Sequence, residues 1–319
     1  GELIWQPQNK GKLIARLSNL TIPEALPEKS GQRNQKSQQK NFPALDVSAD
    51  NFVLGDKALG KLELQAVQQG RNWHIQNLRL SNPDSVLNLD GMWLAWSTQP
   101  QTQANLNLEV TDIGNLMGRL KLPEGVKRGN AKLVGALSWA GSPQQIDYAT
   151  LSGNLQLKAE KGQFVKLEPG IAKLLGILSL QSLPRRASLD FRDIFSEGFA
   201  FDSITATLNI NQGVITTENL RMRGPSAEVN MSGEVNLAQE TQQLKVHVAP
   251  NLVDSLSLAA FIGGPIIGVT AFLMQKALKD PVGQFMSYEY NVTGTWSEPV
   301  VAKLGTPFPA QEMQLWQNP

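Results

Sequence analysis

The chain has 319 residues, enough to bury a large core, and 41% of them are hydrophobic while only 18% are charged. Its 29 basic and 28 acidic residues leave a net charge of +1, which argues against nucleic acid as the main partner because phosphate neutralisation needs a concentrated positive field. Cysteine is absent, which excludes disulfides, thiol nucleophiles, iron–sulfur clusters and thiolate zinc sites.

The N-terminal residues 1–44 are interpreted as strands followed by a polar linker. The chain begins in mid-pattern at Gly1 without a signal segment, so we expect it to be a piece of a longer or processed chain. Residues 29–41 contain neither aromatic nor acidic residues, which is typical of a solvated linker between strands. Their cations are dispersed, so a basic arm that binds anionic head groups is the less favoured alternative.

Most of the remaining chain alternates apolar and polar residues with a period of two. Examples are Leu62, Leu64 and Ala66, and later Leu106, Leu108 and Val110. Because successive side chains of a strand point to opposite faces, each run predicts a strand with one apolar and one polar face. Turn residues separate the runs at short intervals, as in a meander of hairpins. The expected fold is mainly β, a curved antiparallel sheet that forms an elongated apolar groove.

An internal repeat supports a quasi-linear array. A shift of 142 positions aligns Asn77-Leu78-Arg79 with Asn219-Leu220-Arg221, and likewise Gly91 with Gly233. We therefore predict a first groove repeat over residues 45–145, a second over residues 146–305, and a tail over residues 306–319.

Three segments break the alternation and predict short helices. Residues 112–120 offer Thr111 or Asp112 as the N-cap and place Ile113, Leu116, Met117 and Leu120 on one side. Residues 170–180 place Ile171, Leu174, Leu175 and Leu178 on one face. The third segment, residues 252–279, carries no charge between Ser255 and Gln275.

The third segment is too interrupted to span a bilayer easily. Gly263-Gly264-Pro265 leaves a helix over residues 265–279 only about 22 Å long, against a hydrocarbon core of about 30 Å. Two interpretations stay open, namely a hairpin that inserts at a membrane interface and two helices packed on the apolar face of the sheet. For the first, the expected membrane-contact residues are Leu256, Leu258, Phe261, Ile262, Ile266, Ile267, Val269, Phe272 and Leu273.

Residues typical of catalysis or metal binding are scarce. The two histidines, His74 and His247, stand singly in strand patterns and are expected on the surface or on edge strands. Arg185 and Arg186 precede Asp190 and Asp193 in what we interpret as a structural ion-pair cluster, with head-group binding by the two arginines as the alternative. We expect no catalytic residue, metal or cofactor.

Several stretches carry a family resemblance. They are Gly162-Gln163-Phe164, Leu167-Glu168-Pro169-Gly170, Leu183-Pro184-Arg185-Arg186, Met222-Arg223-Gly224-Pro225, Gly263-Gly264-Pro265 and Tyr288-Glu289-Tyr290. In unbroken order over residues 112–300, the chain resembles the C-terminal region of the AsmA-like envelope proteins of Gram-negative bacteria, specifically the YhdP type.

The resemblance implies a long periplasmic protein that is anchored in the inner membrane by an N-terminal segment absent here. It also implies a repeating β-groove that carries phospholipid between the inner and outer membranes without catalysis. This piece would be the outer-membrane-facing end, in contact with that membrane through the helical hairpin. Protein partners are left open.

The residue pattern agrees with lipid binding, because a one-sided apolar sheet with few helices leaves an apolar surface to cover. About 16 strands spaced by about 4.8 Å would make a trough about 75 Å long, a conduit rather than a pocket. The expected groove residues are Leu155, Leu157, Ile204, Ala206, Leu208, Ile210, Val229, Met231, Leu244, Val246 and Val248. The alternatives are an envelope scaffold with a closed β core and an enzyme that acts on envelope lipids.

Overall fold

The computed structural model describes residues 1–7, 11–23, 43–70, 72–95, 97, 99–143, 145–165, 199–250 and 288–304. Fifteen strands and one helix form within these residues. All fifteen strands join one sheet, and their order in the sheet is their order along the chain. The mainly β class is confirmed.

Most of the strands are joined by short connections. The elements are β1 (Glu2–Gln6), β2 (Lys12–Ile22), β3 (Ala44–Leu54), β4 (Lys57–Gln69), β5 (Asn72–Asn82), β6 (Ser85–Leu94), β7 (Gln101–Val110), α1 (Ile113–Arg119), β8 (Val126–Ala140), β9 (Ser152–Phe164), β10 (Phe199–Asn211), β11 (Val214–Arg223), β12 (Ala227–Asn236), β13 (Thr241–Pro250), β14 (Tyr288–Gly294) and β15 (Pro299–Leu304). The first and last strands do not pair with each other, so the sheet is open. The alternative of a closed β core is therefore not supported.

One neighbouring pair departs from the expected antiparallel arrangement. β2 and β3 run parallel, with Lys12 opposite Ala44 and Ile22 opposite Leu54. A short hairpin makes neighbouring strands antiparallel, whereas residues 23–43 are long enough to return the chain across the sheet. The prediction of a wholly antiparallel sheet is wrong at this pair. The predicted linker over residues 29–41 lies entirely outside the described residues.

The 142-residue repeat coincides with two similar sets of strands. β4, β5 and β6 begin 142 positions before β10, β11 and β12. The register of β5 against β6 shifts between Ile75 and Leu78, and that of β11 against β12 shifts at the equivalent Thr217 and Leu220. The two copies of the repeat thus have register shifts at equivalent positions, in addition to their matching residues. The predicted domain boundaries stay a prediction.

Three long connections leave the sheet on the same side. They follow β7, β9 and β13, and because the strands from β3 onward alternate in direction, all three start where odd-numbered strands end. We call this side the loop margin. The predicted helices over residues 170–180 and 252–279 belong to the second and third connections and lie outside the described residues.

The helix predicted over residues 112–120 is confirmed as α1. The Oδ1 atom of Asp112 accepts a hydrogen bond from the Asn115 amide at 2.8 Å, which caps the N-terminus. The helix ends at Arg119 with Leu120 as its C-cap, and the following Lys121, with φ of 55°, donates its amide to the Gly118 carbonyl at 3.0 Å. Ile113 and Met117 then pack against the buried core of the sheet.

Two ion pairs tie α1 to turns of the loop margin. The Nε and Nη2 atoms of Arg119 donate to Oδ2 of Asp84, at 3.0 Å and 2.6 Å, in the turn between β5 and β6. The Nζ atom of Lys121 lies 3.0 Å from Oδ2 of Asp56, between β3 and β4. The helix therefore packs on β8 and reaches toward β4 along this margin.

The two glycines of α1 should respond oppositely to replacement by alanine. A Cβ at Gly114 would lie 2.9 Å from the Val126 carbonyl oxygen, whereas a Cβ at Gly118 meets nothing within 4 Å. We expect Gly118→Ala to raise the free energy of unfolding by about 0.5–1 kcal/mol, because alanine loses less backbone entropy in a helix. Gly114→Ala should lower it, since the backbone of β8 must move. Urea denaturation measures both, and a shift in the same direction would contradict this packing of α1.

Candidate functional site

The apolar face of the sheet is built from rows of side chains that cross the strands. Residues opposite each other in the ladders from β4 to β10 share one face, so their pairing traces each row. One row contains Leu64, Leu78, Leu89, Leu106, Gly135, Leu155 and Leu208. The adjacent row contains Leu62, Leu80, Leu87, Leu108, Leu133, Leu157 and Ala206. We call these two sets the leucine rows.

The ladders place the predicted groove residues on this same face. Ile204 of β10 lies opposite Met222, which lies opposite Val229, which in turn lies opposite Val248. The face therefore continues from the leucine rows onto β12 and β13. The predicted residues on it are Leu155, Leu157, Ile204, Ala206, Leu208, Ile210, Val229, Met231, Leu244, Val246 and Val248. Their contact with lipid stays a prediction.

Accessibility of the apolar face changes along the sheet. Over β5 to β9, most leucines of the two rows are half-buried. Over β12 to β14 the same face is buried, with Val246 at 7% exposed and Val292 at 1%. The described residues thus form a continuous apolar face whose accessible part lies in the earlier strands, and a groove open along its whole length stays a prediction.

The opposite face of the sheet is polar and carries ion pairs. The Nε and Nη2 atoms of Arg221 donate to the two carboxylate oxygens of Glu228 at 2.8 Å and 2.9 Å. This hydrogen bonding from Arg221 holds the pKa of Glu228 below its usual value. The Arg16 guanidinium likewise lowers the pKa of Asp46. Because charged side chains cover this face, the apolar face is the one suited to hydrophobic ligands.

Residues with catalytic or metal-binding potential are not brought together in the described part of the chain. No group of three or more metal-ligating side chains forms among these residues. His74 and His247 are half-buried in β5 and β13, which are interior strands, so the edge-strand alternative predicted for the two histidines is wrong. The alternating sequence pattern around each histidine predicts which face of the sheet it occupies, but not whether its strand lies inside the sheet or at its edge.

The expected charged and membrane-contact residues lie outside the described residues. These are Arg185, Arg186, Asp190 and Asp193, together with Leu256, Leu258, Phe261, Ile262, Ile266, Ile267, Val269, Phe272 and Leu273. In the described ranges, the helical content includes no segment with both the length and the apolar character needed to cross a membrane.

Sequence reasoning missed the part of the apolar face in β4 to β8, whose leucines were not assigned to the groove. The sequence pattern that could have identified these leucines is the same alternation of apolar and polar residues, but register shifts between neighbouring strands interrupt it. One shift lies between Ile75 and Leu78, and another lies between Gln65 and Ala66. Since a bulge resets which face a residue occupies, parity alone could not join these strands into one face.

Comparison with known proteins adds independent information. A family model described as "YhdP protein" matches residues 1–301. The intermembrane phospholipid transporter YhdP of Escherichia coli (strain K12) is 26% identical over 264 residues. This match covers 82% of the chain but 21% of the relative, so the chain spans about a fifth of the relative's length. No solved structure matches the chain significantly.

Proposed function

The chain belongs to the YhdP protein family, and from this premise we propose that it forms part of a bridge that carries phospholipid between the inner and outer membranes. Acyl chains would be shielded on the apolar face of the sheet. The observation that supports this proposal is the pair of leucine rows, which cross seven consecutive strands and stay partly accessible. A partly accessible apolar surface of this extent is typical of a binding surface.

The rows are suited to movement along the sheet rather than to one fixed pocket. Fifteen strands at a spacing of about 4.8 Å extend about 67 Å along the strand order. Taking an acyl chain off an apolar surface into water costs about 0.8 kcal/mol per CH₂ group, whereas sliding to the next strand exchanges one leucine contact for another. Lipid would therefore pass from strand to strand without entering water.

The same proposal includes a cellular location for the chain. We place this chain in the periplasm, at the outer-membrane-facing end of a protein anchored in the inner membrane. Residues 252–279 would contact the outer membrane, a role supported by the absence of charge between Ser255 and Gln275. Their connection starts at the loop margin, beside the end of the apolar face on β13.

The competing functions receive less support. A scaffold with a closed β core requires the sheet edges to meet, and β1 and β15 remain separate edges. An enzyme that acts on lipids is disfavoured because the relative carries the name of a transporter. We therefore propose transport without catalysis.

Lipid extraction tests the proposed function directly. We expect phospholipid to co-purify with the chain when it is isolated from bacterial envelopes, because the leucine rows need an apolar cover. Mass spectrometry of organic extracts measures it, with a soluble protein of similar size purified in parallel as the control. Repeated absence of phospholipid from the extracts would favour the scaffold instead.

A further inference from the structure

Two basic residues adopt an unusual backbone conformation inside strands. Among the described residues, five non-glycine residues have a positive φ, and three of them, Lys121, Gln212 and Glu240, lie at a helix end or in turns. The other two are Arg128 in β8, with φ of 57°, and Lys161 in β9, with φ of 56°. Such conformations are costly for residues with a Cβ and persist where surrounding structure imposes them, often at functional sites.

The two residues lie where the ladder between their strands is interrupted. Arg128 pairs with Gly162 and Asn130 pairs with Glu160, which leaves Gly129 and Lys161 outside the ladder while the register stays the same on both sides. A Cβ at Gly129 would lie 2.9 Å from the Cα of Gly162, so the two backbones approach closely here. Because Arg128 and Lys161 leave the extended conformation, the usual alternation of side chains is disturbed at this interruption.

The three cations at this interruption are exposed. Lys127 and Arg128 form no ion pair with a described carboxylate. The charge of Lys161 acts on the nearby Glu160, whose ion-pair partner is Lys158, with 2.7 Å between Nζ and Oε1. Arg128 donates a long hydrogen bond from Nη2 to Oε1 of Gln163, at 3.4 Å. We call Lys127, Arg128 and Lys161 the basic cluster, whose exposed charges are accessible to an anion.

The basic cluster adjoins the apolar face. The ring of Phe201 packs against the backbone at Gly162, where a Cβ would overlap it, and lies 5.2 Å from the ring of Phe164. Toward the middle of the sheet, the small Ala131–Ala159 pair precedes the Leu133–Leu157 pair of the leucine rows. At about 3.3 Å per residue, the leucine rows begin about 17 Å from Arg128. This separation suits a molecule with an anionic head and long apolar tails.

We propose that the basic cluster binds the phosphodiester of a phospholipid head group while the acyl chains extend toward the leucine rows. This inference rests on the proposed function and adds to it a head-group position at the loop margin. A guanidinium can donate two parallel hydrogen bonds to phosphate oxygens, and the lysines add point charges. The cluster would hold each lipid with its head at the margin and its tails inward.

A pair of charge-matched variants tests the proposal. Arg128→Gln with Lys161→Gln removes two exposed cations that form no ion pair within 4 Å in the described part of the chain, and Lys132→Gln with Lys158→Gln removes two cations from the same strands that are paired with Glu109 and Glu160. Calorimetry would measure binding of dihexanoyl-phosphatidylglycerol, below its micelle concentration, and of inorganic phosphate. We expect the first variant to weaken lipid binding roughly tenfold, because it loses one or two charge-assisted hydrogen bonds to the phosphate. The control variant should weaken lipid binding by less than about twofold.

The outcomes separate this proposal from the proposed function. If both variants weaken lipid binding equally, the change in net charge alone explains the effect, and the proposal is overturned. Phosphate bound as tightly as the lipid would assign the basic cluster to free phosphate, which also overturns the proposal. Unchanged lipid binding by the first variant defeats the head-group site alone, whereas no lipid bound by the unmutated chain defeats the proposed function. If the double variant folds poorly by circular dichroism, Lys127→Gln, which has no positive φ, must itself weaken lipid binding.

Discussion

Replacing Leu157 by glutamate is expected to abolish phospholipid binding while the sheet still folds. Leu157 is half-buried in a leucine row, opposite Leu133 on one side and Ala206 on the other. A carboxylate there is reached by water and so does not prevent folding, but an acyl chain that covers it would strip that water from an unpaired charge. Phospholipid in organic extracts, and transfer of labelled phospholipid between vesicles, should both fall to background.

The matched control introduces the same charge one residue away. Gln156 precedes Leu157 in β9, is exposed and points to the polar face. Gln156→Glu should leave both lipid content and transfer unchanged. If Leu157→Glu retains normal lipid while its circular dichroism matches the unmutated chain, the leucine rows are not the lipid path.

Replacing Val246 by glutamate should instead destabilise the fold. Val246 is 7% exposed and lies between Met231 of β12 and Tyr290 of β14. An unpaired carboxylate buried there should cost more than about 3 kcal/mol of unfolding free energy, since no described cation shares this face of β13. Urea denaturation followed by circular dichroism measures the loss.

An exposed position on the same strand provides the comparison for this change. Gln243 lies on the polar face of β13, and Gln243→Glu should shift the free energy of unfolding by less than about 0.5 kcal/mol. Equal stability of the Val246 variant and the unmutated chain would mean that this part of the apolar face is accessible to water. The Leu157 and Val246 variants thus distinguish a surface that binds ligand from one that serves as core.

Local patterns in the sequence were sufficient for the elements and for their faces. Alternation is a property of each strand by itself, so the apolar side of β9, β10, β12 and β13 could be predicted without knowing their neighbours. The cap at Asp112 also acts over three residues only, and α1 formed where it was expected. The ordered motifs over residues 112–300 were specific enough to identify the family, which the match over residues 1–301 confirmed.

Contacts distant in sequence decided what local patterns could not. The parallel pairing of β2 and β3, and the interruption of the β8–β9 ladder at Gly129 and Lys161, depend on how strands meet across the sheet. Leu157 and Val246 occur in the same kind of alternating run, yet one is half-buried and the other buried. The alternating pattern predicts which face of the sheet a side chain occupies. How deeply that side chain is buried depends on contacts between residues that are distant in the sequence. The sequence by itself therefore determined a one-sided apolar sheet, and only the tertiary structure decided which part of it remains open to a ligand.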